Sequence, residues 1–373
     1  MYLQKLSVLN FKNIREATVE FSPRLNCLSG RNGQGKTNFL DAVYYLSFCK
    51  SHSCPIDSQN LLHGADFMML QGQYVDGERQ TEFYCGLKPR QKKVFKHDKK
   101  AYERLSDHIG QMPLVMVSPA DEELIREGSE ERRRFMDMAI SQYDKPYMQA
   151  LVAYNEALKQ RNALLRDDAE RHFDDSLYEI YEEPMSEAAA LIYRLRTDFI
   201  NAFIPVFQRY YQDISGGQES VGMEYRSQLE AGPLLDQLRE KRWRDKVIGY
   251  TTHGIHKDDL DITLDGFPIK REGSQGQNKT CLIAMKLAQY DFLQQATHRQ
   301  PILLLDDLFD KLDSTRVDRI VSVVSRSNFG QTFITDTHSD HFRQALLQSG
   351  LPHKMFHIEN GEIDLIDTDS SHG

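Results

Sequence analysis

The chain has 373 residues, 40% hydrophobic and 27% charged, enough to bury two moderate cores, and a formal charge of −9 excludes a uniformly basic nucleic-acid coat. No apolar run approaches the roughly 20 residues of a bilayer span, and the amino-terminal residues alternate around Lys5 and Lys12 instead of forming an apolar leader, so a cytoplasmic location is expected. Five cysteines, none in a Cys-x-x-Cys pair, read as reduced thiols. In chain order, Leu3, Leu6, Val8 and Phe11, then Val19, Phe21, Leu25 and Cys27, alternate as strands and run into a glycine-rich loop, after which a helix is predicted from Thr37 to Leu46. Residues 67–105 read as antiparallel hairpins, broken by turn residues at Asp76-Gly77 and Lys88-Pro89. Helical spacing begins near residue 121, with Tyr147, Leu151, Tyr154, Leu158 and Leu165 on one face. A second helical stretch, about 175–212, is predicted to be interrupted by Pro184 and Pro205, which makes a stubby arm reaching about 30–40 Å. Strands are expected again from about 247, followed by a helix, a buried strand, a helix and a final strand pair.

Gly30-Arg31-Asn32-Gly33-Gln34-Gly35-Lys36-Thr37 matches G-x-x-x-x-G-K-[ST] between a predicted strand and a predicted helix. The glycines let backbone N–H groups curl around phosphates at a helix N-terminus, Lys36 brings positive charge to the β and γ phosphates, and Thr37 offers a hydroxyl to Mg2+. These features predict ATP and Mg2+ as cofactors. Ile302-Leu303-Leu304-Leu305-Asp306-Asp307 has the form of a buried central strand delivering two carboxylates to its C-terminal edge. Asp306 is expected to hold Mg2+ and Asp307 to polarise the attacking water. Related ATPases usually carry a glutamate at the second position, and the shorter aspartate predicts slow hydrolysis.

Ser274-Gln275-Gly276-Gln277 lies 32 positions (306 minus 274) before Asp306 and opens an amphipathic stretch, Leu282 to Leu293. It resembles the signature motif of ABC-type ATPases, in which a serine hydroxyl and helix N-terminal N–H groups grip a γ-phosphate held by another subunit. Asp310-Lys311-Leu312-Asp313 resembles the D-loop of that class, and His338, at the end of a strand-like stretch, its switch histidine. That resemblance implies two chains facing each other with ATP between them, an ATP-dependent homodimer released by hydrolysis.

The 237 positions between Thr37 and Ser274 (274 minus 37) exceed a transporter cassette and fall far short of a full-length SMC protein. Leu9-Asn10-Phe11-Lys12-Asn13-Ile14, Val117-Ser118-Pro119-Ala120-Asp121, Arg132-Arg133-Arg134-Phe135-Met136-Asp137, His256-Lys257-Asp258-Asp259 and Glu272-Gly273-Ser274-Gln275-Gly276-Gln277 together resemble the RecF family of SMC-like repair ATPases. The resemblance spans residues 3–338 and implies ATP-dependent binding of DNA at single-strand gaps and duplex junctions, with RecR and RecO as partners and RecA loaded downstream. Lys12 and Lys257 stand where that family usually has arginine, and no glutamine stands near Ser118 and Pro119. The fold implied is α/β: an ABC/SMC-like P-loop lobe with a mixed sheet from residues 1–120 and 248–373, and a mostly helical arm lobe from 121–247 with no long coiled coil.

The residues themselves also give a weaker indication of DNA contact. Lys88, Arg90, Lys92, Lys93, Lys96, Lys99, Lys100 and Arg104 crowd one predicted hairpin, opposed by Asp98 and Glu103. Such a stripe can neutralise phosphates without reading sequence, or it can be a solvated hairpin. A transporter cassette would carry a Leu-Ser-Gly-Gly-Gln signature, an Asp-Glu pair and a Q-loop glutamine, none of which is present, and the ATPase half of a nuclease system would need a nuclease domain or partner.

Overall fold

The computed structural model describes residues 1–126, 128–171, 173–217, 219–308, 314–324, 329–336 and 351–368. The chain forms two compact units, one of Met1–Glu122, Asp213–Gly217 and Gln275–Gly373 and one of Glu123–Gln212 and Gln218–Ser274. The first opens with β1 (Tyr2–Phe11), β2 (Ile14–Glu20), β3 (Leu25–Ser29) and α1 (Lys36–Phe48). It continues through β4 (Met68–Asp76), β5 (Arg79–Leu87), β6 (Val94–His97), β7 (Lys100–Ala101) and β8 (Leu114–Val117). Antiparallel pairing orders one sheet β2-β1-β4-β5-β6-β7, and its period of two buries Leu6, Val8, Leu70, Phe83, Cys85 and Phe95. The hairpins expected over 67–105 are β4 to β7.

The second unit holds α2 (Glu123–Arg126), α3 (Ser129–Ile140), α4 (Lys145–Arg171), α5 (Ser176–Ser215), β9 (Val221–Arg226) and α6 (Leu234–Ile248), then β10 (Asp259–Leu264), β11 (Phe267–Pro268) and α7 (Ile269–Glu272). Two sequence expectations need correcting here. First, α5 runs 40 residues straight through Pro184 and Pro205, about 60 Å at 1.5 Å per residue. Both prolines lie on its exposed side, where the carbonyls they leave unbonded can meet water, while Tyr178, Met185, Ile192, Phe199, Phe203, Phe207 and Tyr211 form a continuous buried face. Second, residues 248–274 pack in this unit and not with the ATPase elements, because β10 pairs antiparallel with β9 from Asp259↔Arg226 to Leu264↔Val221.

The first unit resumes with α8 (Gln275–Thr297), β12 (Ile302–Leu305), α9 (Ser314–Val324), β13 (Thr332–Asp336), β14 (His353–Glu359) and β15 (Glu362–Thr368). They complete a mixed sheet ordered β15-β14-β3-β13-β12-β8, parallel throughout except where β15 pairs with β14. All four residues of β12 are buried between parallel neighbours, as an uninterrupted apolar run requires. The registers Asp336↔Ser29 and Leu305↔Ile334 bring the exits of β3, β13 and β12 to one sheet edge, where ligands of α/β folds gather. Among the described residues no helix is long and apolar enough to cross a membrane.

Candidate functional site

The loop leaving β3 is held open by positions that reject a side chain. Gly30 has φ 149, and a Cβ there would run into the Ile358 carbonyl; Gly35 has φ 116, and a Cβ would stand 2.8 Å from Asn13 Nδ2. Asn13 donates to the Gln34 carbonyl at 3.2 Å and accepts from Asn38 Nδ2 at 2.7 Å. From the other side, the β14–β15 turn donates Gly361 N–H to the Gln34 carbonyl at 2.9 Å and Asn360 N–H to Gln34 Oε1 at 2.6 Å. The loop is therefore fixed before any ligand arrives, which lowers the ordering cost of binding. Lys36 is buried and donates back to the carbonyls of Gly30 at 2.6 Å and Arg31 at 3.0 Å.

Opposite the loop, the buried carboxylate of Asp306 accepts from Thr37 Oγ1 at 2.9 and 3.1 Å and from Thr335 Oγ1 at 2.8 Å. Burial raises its carboxyl above the ordinary carboxylate range and the Asp307 charge adds to this, while the two hydroxyl bonds and Lys36 oppose it. Asp307 adopts φ 47, and its N–H donates to Thr335 Oγ1 at 2.9 Å, so one threonine orients both acids. A cavity of about 220 Å³ is lined by Asn32, Gly33 and residues 35–38 on one side and Asp306, Asp307 and Thr335 on the other. The hard oxygens of Thr37 and Asp306 suit a divalent cation. Mg2+ is such a cation, and it commonly completes its coordination with phosphate and water.

The structure thus brings together the phosphate loop, Thr37 and both acids, 269 residues apart. Within the same unit, Gln275 is exposed and Gly276 and Gln277 are half-buried at the start of α8, and none of the three lines the cavity; Ser274, in the other unit, is exposed. Asp313 and His338 lie outside the described residues. On the basic hairpin, Lys88, Arg90, Lys92, Lys99, Lys100 and Arg104 are exposed and Lys96 is half-buried. Lys93 must be withdrawn from the stripe, because its ammonium donates to the Cys49 carbonyl at 2.5 Å and Asp57 at 2.9 Å and lies over the Tyr45 ring.

Sequence reasoning missed several supports. Lys12 forms an ion pair with the buried Asp41 and donates to Ser53 Oγ at 2.6 Å, so it braces α1. Asp121, in the segment that lacks a Q-loop glutamine, accepts from Ser118 N–H at 2.8 Å and pairs with Lys286 at 2.6 Å and with His52 at 3.9 Å. Burial would raise its carboxyl, but the Lys286 ammonium and the hydrogen bond with His52 hold it well below the usual range. The only sequence signal for the loop's brace was Asn13 itself, in the Asn-Phe-Lys-Asn opening.

A phosphate loop between parallel β3 and a helix, facing an acid pair at the end of buried β12 with β13 between the two strands, defines an ABC/SMC-like P-loop ATPase. Residues 1–203 match the AAA ATPase domain family. Over 366 residues the chain is 55% identical to the DNA replication and repair protein RecF of Bacteroides fragilis, covering 98% of each, and over 365 residues it is 56% identical to that of Phocaeicola vulgatus, covering 97% and 98%. It superposes on a solved recombination mediator protein RecF-ATP with a TM-score of 0.88 at 28% identity, covering 98% of both chains. An Smc head bound to the C-winged helix domain of ScpA shares the fold, with a TM-score of 0.61 at 14% identity over 100% and 98% of the chains. The chain belongs to the RecF family of DNA replication and repair ATPases.

Proposed function

We propose that the protein is an ATP-dependent DNA clamp of recombinational repair. Two chains join over two ATP molecules, close on DNA at single-strand gaps and duplex junctions, and help RecR and RecO load RecA. The observation that carries this reading is the one-sided site: loop, Lys36, Thr37, Asp306 and Asp307 line one cavity, while Gln275, Gly276 and Gln277 begin a helix elsewhere in the same unit. A helix start that does not line the cavity of its own chain can meet a γ-phosphate held by a second chain.

Within the clamp, the loop N–H groups and Lys36 bind phosphate, exchanging the two carbonyls that now hold the ammonium. Thr37 and Asp306 would hold Mg2+, which when bound offsets phosphate charge. Asp307 orients the attacking water, and its short side chain keeps turnover below about 10 per second, the median of enzymes in general. Hydrolysis removes the γ-phosphate shared across the interface and opens the clamp.

DNA binding is expected only with ATP and is expected to weaken steeply with salt. Replacing Lys92 or Lys100 with glutamine lowers the slope of log affinity against log salt by about 1 for each phosphate that the hairpin no longer neutralises, without changing sequence preference. Fluorescence anisotropy at several salt concentrations measures this. An unchanged slope in both variants would remove the hairpin from the DNA interface.

A further inference from the structure

The hairpin carries more than charge. Pairings Tyr84↔Lys96 and Gly86↔Val94 place Tyr84, Gly86, Val94 and Lys96 on one face of the sheet, opposite the face that buries Cys85 and Phe95. On that face Val94 and Phe67 are each 42% exposed. The Tyr84 ring lies across Gly86, where a Cβ would stand 2.7 Å from its hydroxyl, and Lys96 Nζ sits 5.3 Å from the ring centroid. Together they form a cleft of about 190 Å³ whose remaining rim includes Lys88 and Lys92 and contains no acid. That volume is below the roughly 300 Å³ of a typical small-molecule site, and it leaves room for one flat ring.

A sheet face that only meets water is normally finished with polar side chains. Here it carries an aromatic floor, two exposed apolar side chains and three ammonium groups in a protein of charge −9. That chemistry matches one ligand part by part: a nucleobase has a flat apolar face, and its neighbouring phosphates are anionic. Bases inside a duplex are paired and stacked, so their faces cannot enter.

We propose that the Tyr84–Phe67–Val94 cleft binds a single unpaired nucleobase of DNA, with Lys88 and Lys92 on the flanking phosphates. The proposal rests on the DNA-binding reading above and adds what that reading lacks, a feature that distinguishes a gap from a continuous duplex.

The test compares anisotropy of the full chain with ATP on two labelled DNAs of equal length, a blunt duplex and the same duplex with a short gap of unpaired thymidines. Tyr84→Ala is expected to reduce the preference for the gapped DNA about ten-fold, within the stacking contribution of one base. Tyr84→Phe should retain the preference, and Gly86→Val should lose it by displacing the ring. Lys92→Gln should weaken binding of the gapped DNA and lower its salt slope by about 1. Thermal melting of each variant shows whether it is folded. A Tyr84→Ala protein that is folded and keeps its gap preference, or loses affinity for both DNAs equally, overturns the proposal. So does a wild type that binds both DNAs equally. A wild type that binds neither overturns the clamp reading itself.

Discussion

Arg196→Ala is expected to destabilise the second unit by about 3–5 kcal/mol in denaturant unfolding, the cost of leaving buried charges without their partner. Arg196 on α5 is 1% exposed and bonds four residues in three other segments. It donates to Asp137 of α3 at 2.8 Å, Tyr147 of α4 at 3.0 Å, and, in the turn before β10, the Ile255 carbonyl at 3.0 Å and Asp258 at 2.9 Å. Burial raises the Asp258 carboxyl above its ordinary range, opposed by Arg196 and by hydrogen bonds that include Tyr225, so losing the guanidinium strands an acid in the core. Arg239→Ala provides the contrast: its pair with Glu179 at 3.0 Å joins side chains 45% and 38% exposed, and its loss should cost less than about 1 kcal/mol. Equal effects of the two substitutions would refute the account of Arg196.

Asp306→Asn is expected to reduce ATP turnover by about 10² or more while leaving the nucleotide-free protein no less stable to heat. The oxygen that accepts from Thr335 can be kept by the amide, so the shape survives. What disappears is a 3% exposed negative charge beside Asp307, whose burial is unfavourable until a cation or ligand arrives. Holding that charge therefore serves the reaction at a cost to the resting fold, and removing it withdraws electrostatic assistance worth several kcal/mol. Melting temperature and steady-state phosphate release measure the two sides. Full activity in Asp306→Asn would remove the carboxylate from the mechanism.

What was legible in the sequence was what is carried by spacing. The phosphate loop is contiguous, its glycines are required at fixed positions, and the apolar run before Asp306 can only be a strand buried on both faces, as β12 is. Prolines at 184 and 205 were misleading because a local rule was applied without the buried face that overrides it. The pairing of β9 with β10 was missed since its partners lie 33 or more positions apart, as in Asp259↔Arg226, and neither strand announces the other. Lys93 shows the same limit on the surface: six exposed basic neighbours suggested a shared role, yet its own partner, Asp57, lies 36 positions away. Asp121 could not be understood without Lys286, 165 positions distant.

The claim that two chains build each nucleotide site is tested most directly by mixing two inactive proteins. Lys36→Met should abolish nucleotide binding on its own chain, and Ser274→Arg should block the surface offered to the partner's γ-phosphate. Each alone should fail to dimerise with ATP and should release almost no phosphate. An equimolar mixture is predicted to regain part of the wild-type activity together with an ATP-dependent dimer mass, because one mixed site per pair unites an intact Lys36 with an intact Ser274. A mixture as inactive as its components, or a Ser274→Arg protein that hydrolyses ATP at the wild-type rate as a monomer, would contradict the account.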